Sequence, residues 1–266
     1  MEGLYKLEDY TFKRLLGEGM YSMVYLAEHV RGIFAVKVIP KGKHRRRGTT
    51  HAQKEIAALQ RLSSTQGVAS LKEWREDESS FFIVLLYCSG YPISSMPSFL
   101  SVQEIFYVGL SILETLNRMH LLGVYHLDLK PANVIVSAHG TYIIDFGCSF
   151  ISSERVVELC ALPFEGTPAY MAPEIIKRTE SHISLEALDV WSFGCLLYYM
   201  SAGRDAFAST SLYSLYPKII GCKINYAQVS DEIQQVCAKI FVHDPKARIS
   251  LKSLISLFGS KIRRYA

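Results

Sequence analysis

The sequence predicts an α+β chain whose strands gather near its start and whose helices dominate the rest. Three observations carry that prediction. Apolar and β-branched runs at residues 10–16, 32–39 and 81–87 have strand length, and one helical pattern at 51–62 interrupts them. Over residues 101–122 apolar side chains recur every three or four positions (Ile105, Val108, Ile112, Leu116, Met119), the stripe of a long helix packed on a core. Between these regimes lies Cys88-Ser89-Gly90, a break that reads as a hinge between two lobes.

Composition sets the outer limits. A chain of 266 residues can bury a core, and 49% hydrophobic with 20% charged residues excludes a disordered polymer. The net charge of +4 is too mild to argue for nucleic acid, and none is expected as a partner. Six scattered cysteines show no C-x-x-C pair and no zinc-finger spacing, so reduced thiols in a cytoplasmic and/or nuclear protein are expected. The first ten residues lack the apolar segment of a secretory signal, and no apolar run is long enough to span a membrane.

The first strand leads into Gly17-Glu18-Gly19-Met20-Tyr21-Ser22-Met23-Val24 and a second strand follows. Glycines let a backbone close over phosphates with no Cβ in the way, although a plain tight hairpin explains the same residues. Lys37 stands alone among apolar neighbours in the strand at 32–39; a lysine snorkelling from a strand edge is the simple account. Glu55, inside the helical pattern at 51–62, offers it a partner. Residues 41–47, K-G-K-H-R-R-R, read as a solvated basic loop before that helix; a nuclear localisation signal and a pocket for a phosphorylated partner are the sharper readings.

After the long helix comes Tyr125-His126-Leu127-Asp128-Leu129-Lys130-Pro131-Ala132-Asn133, then a β-branched run, a polar turn at 137–140, and Asp145-Phe146-Gly147. Two short strands around that turn would bring the acidic and amide groups together. Asp128 can accept a proton, Lys130 stands beside it, and Asn133 and Asp145 are oxygen ligands. Such a set suits phosphoryl transfer with Mg²⁺. Further on, Gly166-Thr167-Pro168-Ala169-Tyr170-Met171-Ala172-Pro173-Glu174 precedes an apolar helix beginning near Asp189, and an aspartate so placed needs a buried partner.

In this order and spacing the motifs resemble eukaryotic serine/threonine protein kinases over about residues 10–260. The resemblance implies the two-lobed protein kinase fold: a small antiparallel-sheet N-lobe with one helix (about 10–87), a hinge at 86–90, and a larger, mainly helical C-lobe (91–262), all in a single domain, 1–266. ATP and Mg²⁺ are the implied cofactors. Leu16, Gly17, Glu18, Gly19, Met20, Tyr21, Ser22, Met23 and Val24 would cover the nucleotide, with Ala35 and Ile135 as further contacts. Leu85 would sit behind the adenine, and Leu86 and Cys88 would offer it backbone groups. Lys37, positioned by Glu55, would hold the phosphates. Asp128 would orient the acceptor hydroxyl, Lys130 would neutralise the transferring group, and Asn133 and Asp145 would hold the metal. Asp189 would tie down the loop around Asp128, Arg248 would pair with Glu174, and Leu59, Leu71, His126 and Phe146 would form the stacked column of an active kinase.

Departures from the family pattern carry information too. Ser22 replaces the third glycine, and Leu86 replaces an acidic hinge residue. Leu127 stands where many kinases carry an arginine that needs an activation-segment phosphate, and Pro163 stands at the usual acceptor. Activity without phosphorylation of that segment is therefore expected. Ala132 and Tyr199 replace the glutamates of arginine-directed kinases, so strong selection for arginine just before the target residue is not expected. The start E-D-Y-T-F-K-R-L-L-G-E-G resembles phosphoinositide-dependent protein kinases, which would dock partner tails beside the Glu55 helix; H-L-D-L-K-P-A-N and D-F-G-C-S also resemble the Mos kinase. A pseudokinase scaffold would lack Lys37, Asp128, Asn133 or Asp145, and all four are present. Protein substrates, a monomeric state and control by partners or abundance complete the expectation, the last because only about nine residues precede the first strand.

Overall fold

The early strands pair with one another, and the two faces of their sheet pack into different cores. In this computed structural model, residues 7–20, 22–41, 45–96, 98 and 100–265 are described, those at 45–47 by backbone alone. β1 (Thr11–Glu18), β2 (Met23–His29), β3 (Gly32–Pro40), β4 (Leu71–Glu76) and β5 (Ser80–Leu86) form an antiparallel sheet in the order β1-β2-β3-β5-β4. Strand alternation sorts its side chains. Phe34, Val36 and Val38 pack with Phe82, Val84 and Tyr10 in a small outer core. Ile39, Phe81, Ile83 and Leu85 face the other way and join the main core with the helix α1 (Arg45–Arg61). Lys37, between Val36 and Val38, therefore points to the inner face.

Two expectations are corrected here. α1 begins at Arg45, six residues before the apolar pattern at 51–62, so the end of the basic run is helix and not loop. Arginine is a good helix former, but R-R-R-G-T-T has no apolar stripe to betray it. Lys41 is not a solvated charge either: its Nζ meets the Glu76 carboxylate and the Asp77 carbonyl and lies 4.8 Å from the centre of the Phe81 ring. Residues 42–44 lie outside the described residues. β4 went unrecognised because L-K-E-W-R-E is a half-exposed edge strand that alternates charge instead of apolar side chains.

The remainder is mainly helical. α2 (Val102–Leu121) starts in a capping box: the Glu104 N–H donates to Ser101 Oγ (3.3 Å), and the Ser101 N–H donates to the Glu104 carboxylate (2.7 Å). α3 (Pro173–Lys177) and α4 (Leu185–Ala202) follow, then α5 (Leu212–Ile220), α6 (Asp231–Ile240) and α7 (Leu251–Ile262). α4 is apolar all round and runs through the middle of the lobe, with Trp191, Phe193, Leu196 and Leu197 fully enclosed. Close helix approach needs glycine at two places. A Cβ on Gly109 would meet the Phe258 ring at 2.5 Å, and one on Gly194 would meet Ile240 at 2.5 Å.

The expected Glu174–Arg248 pair is formed and buried, as a fork of two bonds at 2.8 and 3.0 Å. Arg248 also donates to the carbonyls of Ala187 (2.7 Å) and Val242 (3.2 Å) and stacks over Trp191. It thereby fastens α3 to α4 and to the chain that follows α6. Among the described residues no helix is long and apolar enough to cross a membrane.

Candidate active site

A small framework fixes the loop that carries the chemistry. β6 (Tyr91–Pro92) pairs with β8 (Val134–Ser137), which pairs with β9 (Gly140–Ile143) across the expected polar turn. β7 (Val124–Tyr125) pairs with β10 (Phe150–Ile151). Residues 126–133 span from β7 to β8 and residues 144–149 span from β9 to β10, so the two loops lie side by side. Each contains a non-glycine residue in the left-handed region, Leu127 (φ 60°) and Asp145 (φ 65°). Such conformations cost free energy and persist only when neighbours hold them.

Asp189 does the holding in the first loop. Fully buried at the first turns of α4, it accepts from the His126 N–H (3.0 Å) and the Leu127 N–H (2.8 Å), and bonds His120 Nε2 (2.8 Å). Burial alone would raise its pKa; the bonds from His120 and the Leu127 amide outweigh that and hold it below the usual carboxylate value. His126 joins the two loops. Its Nε2 donates to the Ile144 carbonyl (3.1 Å), its Nδ1 accepts from the Asp128 N–H (3.3 Å), and its ring lies 5.1 Å from that of Phe146. Leu59 and Phe146 of the expected column share the main core, with Leu71 packed against it.

Lys37, Glu55, Asp128, Lys130 and Asp145 converge on one cavity of about 440 Å³, with Asn133 buried behind its lining. Lys37 Nζ reaches Glu55 at 2.7 Å and Asp145 at 2.8 Å. Burial by itself would lower the Lys37 pKa, but the carboxylates of Asp145 and Glu55 outweigh it and keep the ammonium charged. Lys37 in turn holds Asp145 well below the usual carboxylate range. Burial pushes Glu55 upward against the pull of Lys37; with the ammonium at 2.7 Å, the ion pair is the form that fits the geometry. Asp128 accepts from Lys130 Nζ on Oδ2 (2.8 Å) and from the Thr167 N–H on Oδ1 (2.7 Å), and Lys130 also donates to Thr167 Oγ1 (2.8 Å). Asn133 Nδ2 donates to the Asp128 carbonyl (2.9 Å). Asp145 takes its bonds from Lys37 and the Gly147 N–H on Oδ1. Asn133 Oδ1 and Asp145 Oδ2 are thus the oxygens turned from these bonds, hard donors of the kind Mg²⁺ takes.

A model of the "Protein kinase domain" family matches residues 10–257. The chain belongs to the protein kinase family. It is 33% identical over 262 residues to serine/threonine-protein kinase PKH2 of Candida albicans, covering 92% of this chain and 27% of that protein. It is 32% identical over 273 residues to serine/threonine-protein kinase ssp1 of Schizosaccharomyces pombe (92% of this chain, 41% of that one). It is 30% identical over 254 residues to CBL-interacting serine/threonine-protein kinase 15 of Arabidopsis thaliana (92% and 59%). The chain thus spans less than two thirds of the length of each of these relatives.

Sheet register relates the residues expected to cover a nucleotide to one another. Val24 lies opposite both Gly17 and Lys37, Glu18 lies opposite Met23, and Ala35 lies opposite Leu85. The Gly19 N–H donates to the Ser22 carbonyl (2.8 Å) and closes the glycine turn, leaving Met20 exposed; Tyr21 lies outside the described residues. Gly19, Met20 and Ser22 line the cavity with Lys37, Glu55, Asp128, Lys130 and Asp145. Leu16, Gly17, Glu18, Met23, Val24, Ala35, Leu85, Leu86, Cys88 and Ile135 do not line it. They sit on β1, β2, β3, β5, β8 and the hinge segment, and the Leu86 N–H is already committed to the Ser70 carbonyl (2.9 Å).

Sequence reasoning missed the contacts that α1 makes besides Glu55. His51 Nδ1 bonds the Gly147 carbonyl (2.7 Å), and Lys54 Nζ bonds the Glu165 carboxylate (2.7 Å). The available signal was helical spacing: His51 lies one turn before Glu55 on the same face, and Lys54 adjoins it.

Proposed function

We propose that the chain transfers the terminal phosphoryl group of ATP to serine or threonine hydroxyls of proteins. The observation that carries this reading is the completed chain of contacts from Glu55 through Lys37 to Asp145, with Asp128, Lys130 and Thr167 joined beside it. In this reading Asp128 accepts or orients the hydroxyl proton, and Lys130 offsets charge on the moving group. Lys37, held by Glu55, orients the α- and β-phosphates under Gly17, Gly19 and Val24. Asn133 and Asp145 would hold Mg²⁺, which supplies charge neutralisation between the phosphates. Leu86 and Cys88 would meet the adenine edge.

The same reading makes the enzyme active without phosphate on its activation segment. Leu127 brings no positive charge that a phosphate must offset, and Glu165 already gives Lys54 a carboxylate at 2.7 Å. Ala132 and Tyr199 support weak selection for arginine before the target residue. Within the family we assign a phosphoinositide-dependent-like signalling kinase, on the strength of the sequence E-D-Y-T-F-K-R-L-L-G-E-G at the first strand. Tails of partner proteins would dock beside α1, and the enzyme would act as a monomer in the cytoplasm and/or nucleus.

The test is phosphorylation of a mixed protein substrate with Mg-ATP, followed by phosphoamino-acid analysis and a positional peptide library. Phosphoserine and phosphothreonine, absent with Asp128→Asn, would support the reading. Phosphotyrosine, or transfer that survives Asp128→Asn, would overturn it.

A further inference from the structure

Glu165 is drawn inward where its neighbour Phe164 faces solvent. Phe164 is 48% exposed, while the Glu165 side chain is 32% exposed. Hydrophobicity alone would bury the ring and leave the carboxylate in water. Lys54 supplies the reason: its Nζ lies 2.7 Å from Glu165 Oε2, with the lysine side chain itself 26% exposed. An ion pair between α1 and the activation segment thus sets how that segment lies.

We infer that Lys54 and Glu165 are positioning residues for phosphoryl transfer, an ion pair that holds the acceptor side of the site in register with the nucleotide side. This rests on the kinase reading above and adds to it the residues that join the two sides. Their place in the chain is the first argument. Lys54 directly precedes Glu55, so on α1 the two side chains leave about 100° apart. Glu55 turns to Lys37 (2.7 Å) and Lys54 turns to the activation segment. Only Gly166 separates Glu165 from Thr167, whose N–H holds Asp128 Oδ1 (2.7 Å) and whose Oγ1 accepts from Lys130 (2.8 Å). A path therefore runs from Lys37 through Glu55, Lys54, Glu165 and Thr167 to Asp128. Every step in it is a bond of 2.7 Å or a short run of main chain.

Charge is the second argument, and it sets the pair apart from the groups it supports. The attraction depends on the product of the two charges and not on which side carries which. Asp128, Lys130 and Lys37 act through their own sign on proton or phosphate, so none of them could be exchanged for its opposite. Lys54 and Glu165 act on the reaction only through Glu55 and Thr167. Partial exposure keeps their effect modest, a matter of rate and not of folding.

The experiment is a charge exchange in the whole chain. Lys54→Glu and Glu165→Lys are made singly and together, and kcat and KM for ATP are measured with a serine/threonine peptide. Each single exchange should lower kcat about fivefold with KM for ATP within about twofold of wild type. The double exchange should bring kcat back to within about twofold. Lys54→Met and Glu165→Gln, which remove the attraction without adding repulsion, should show smaller losses of the same kind. Hydrogen exchange read by mass spectrometry needs no kinase activity: Lys54→Glu, on α1, should speed amide exchange across residues 159–171, and the double exchange should restore protection. Single variants with wild-type kcat, a double variant no faster than the slower single, or unchanged protection across residues 159–171 in Lys54→Glu would overturn the inference. A wild type that transfers no phosphate while protection follows the exchange pattern would overturn the kinase reading and leave the coupling standing.

Discussion

Asp189 is the residue whose replacement should do most damage without touching a nucleotide or a substrate. Its carboxylate takes three bonds while fully buried, two of them from the main chain of the loop carrying Asp128. Asp189→Ala would leave the His126 and Leu127 amides and the His120 ring without their partner. At about 1–3 kcal/mol for each unsatisfied buried group, the loss is roughly 3–9 kcal/mol, a large share of the ~5–15 kcal/mol that keeps a domain folded. Asp189→Asn is the milder probe. Its carbonyl oxygen keeps the Leu127 bond, but its amide faces the His126 N–H, donor against donor, at about 2 kcal/mol. Released from the latch, Leu127 can leave its φ of 60° and draw Asp128 away from Lys130 and Thr167. Urea titrations of the three proteins measure the first effect. Turnover measures the second: kcat should fall at least about tenfold in the Asn variant, while KM for ATP changes little because Lys37 and Glu55 lie elsewhere. Both variants within about 0.5 kcal/mol of wild type would refute the latch. The pH dependence has a definite sign. The folded pKa of Asp189 is depressed, so its stabilisation is complete above the ordinary carboxylate value and is lost as pH falls through the depressed one.

Three other outcomes follow from the packing and the charges. Glu174→Gln or Arg248→Met should cost about 3–5 kcal/mol in denaturant, because each leaves the opposite charge buried and unpaired; the double variant should cost less than the sum of the singles. Gly109→Ala would gain roughly 1 kcal/mol in a free helix, but the Phe258 ring 2.5 Å from the new Cβ should reverse the sign and lower Tm. Burial, reinforced by Asp128, Asp145 and Glu165, pushes the Cys148 thiol up to about 12. At pH 8, timed alkylation read by mass spectrometry should modify exposed Cys160 well before Cys148.

The site was more legible in the sequence than the lobe edges were. Lys37, Glu55, Asp128, Asn133 and Asp145 stand out because a charged or amide group inside an apolar strand, beside a β-branched run or in a glycine turn conflicts with its surroundings. Asp189 and the pair Glu174–Arg248 stand out for the same reason, and all are bonded as expected. The start of α1 and the whole of β4 were hidden because both are half-exposed and rich in charge, and periodicity speaks only through buried apolar residues. Lys54–Glu165 and His51–Gly147 were hidden for another reason. They join residues about a hundred positions apart that have no local conflict to reveal them, and only the packing of α1 over the activation segment brings them together.

The central claim is a site assembled without help from phosphorylation, and one measurement tests it most directly. Protein made in bacteria is split, one half treated with phosphatase and shown by mass spectrometry to carry no phosphate, and Mg-ATP turnover of a serine/threonine substrate is compared between the halves. Equal rates, abolished by Asp145→Asn, are the predicted result. A treated half that is silent until another kinase phosphorylates its activation segment would contradict the account.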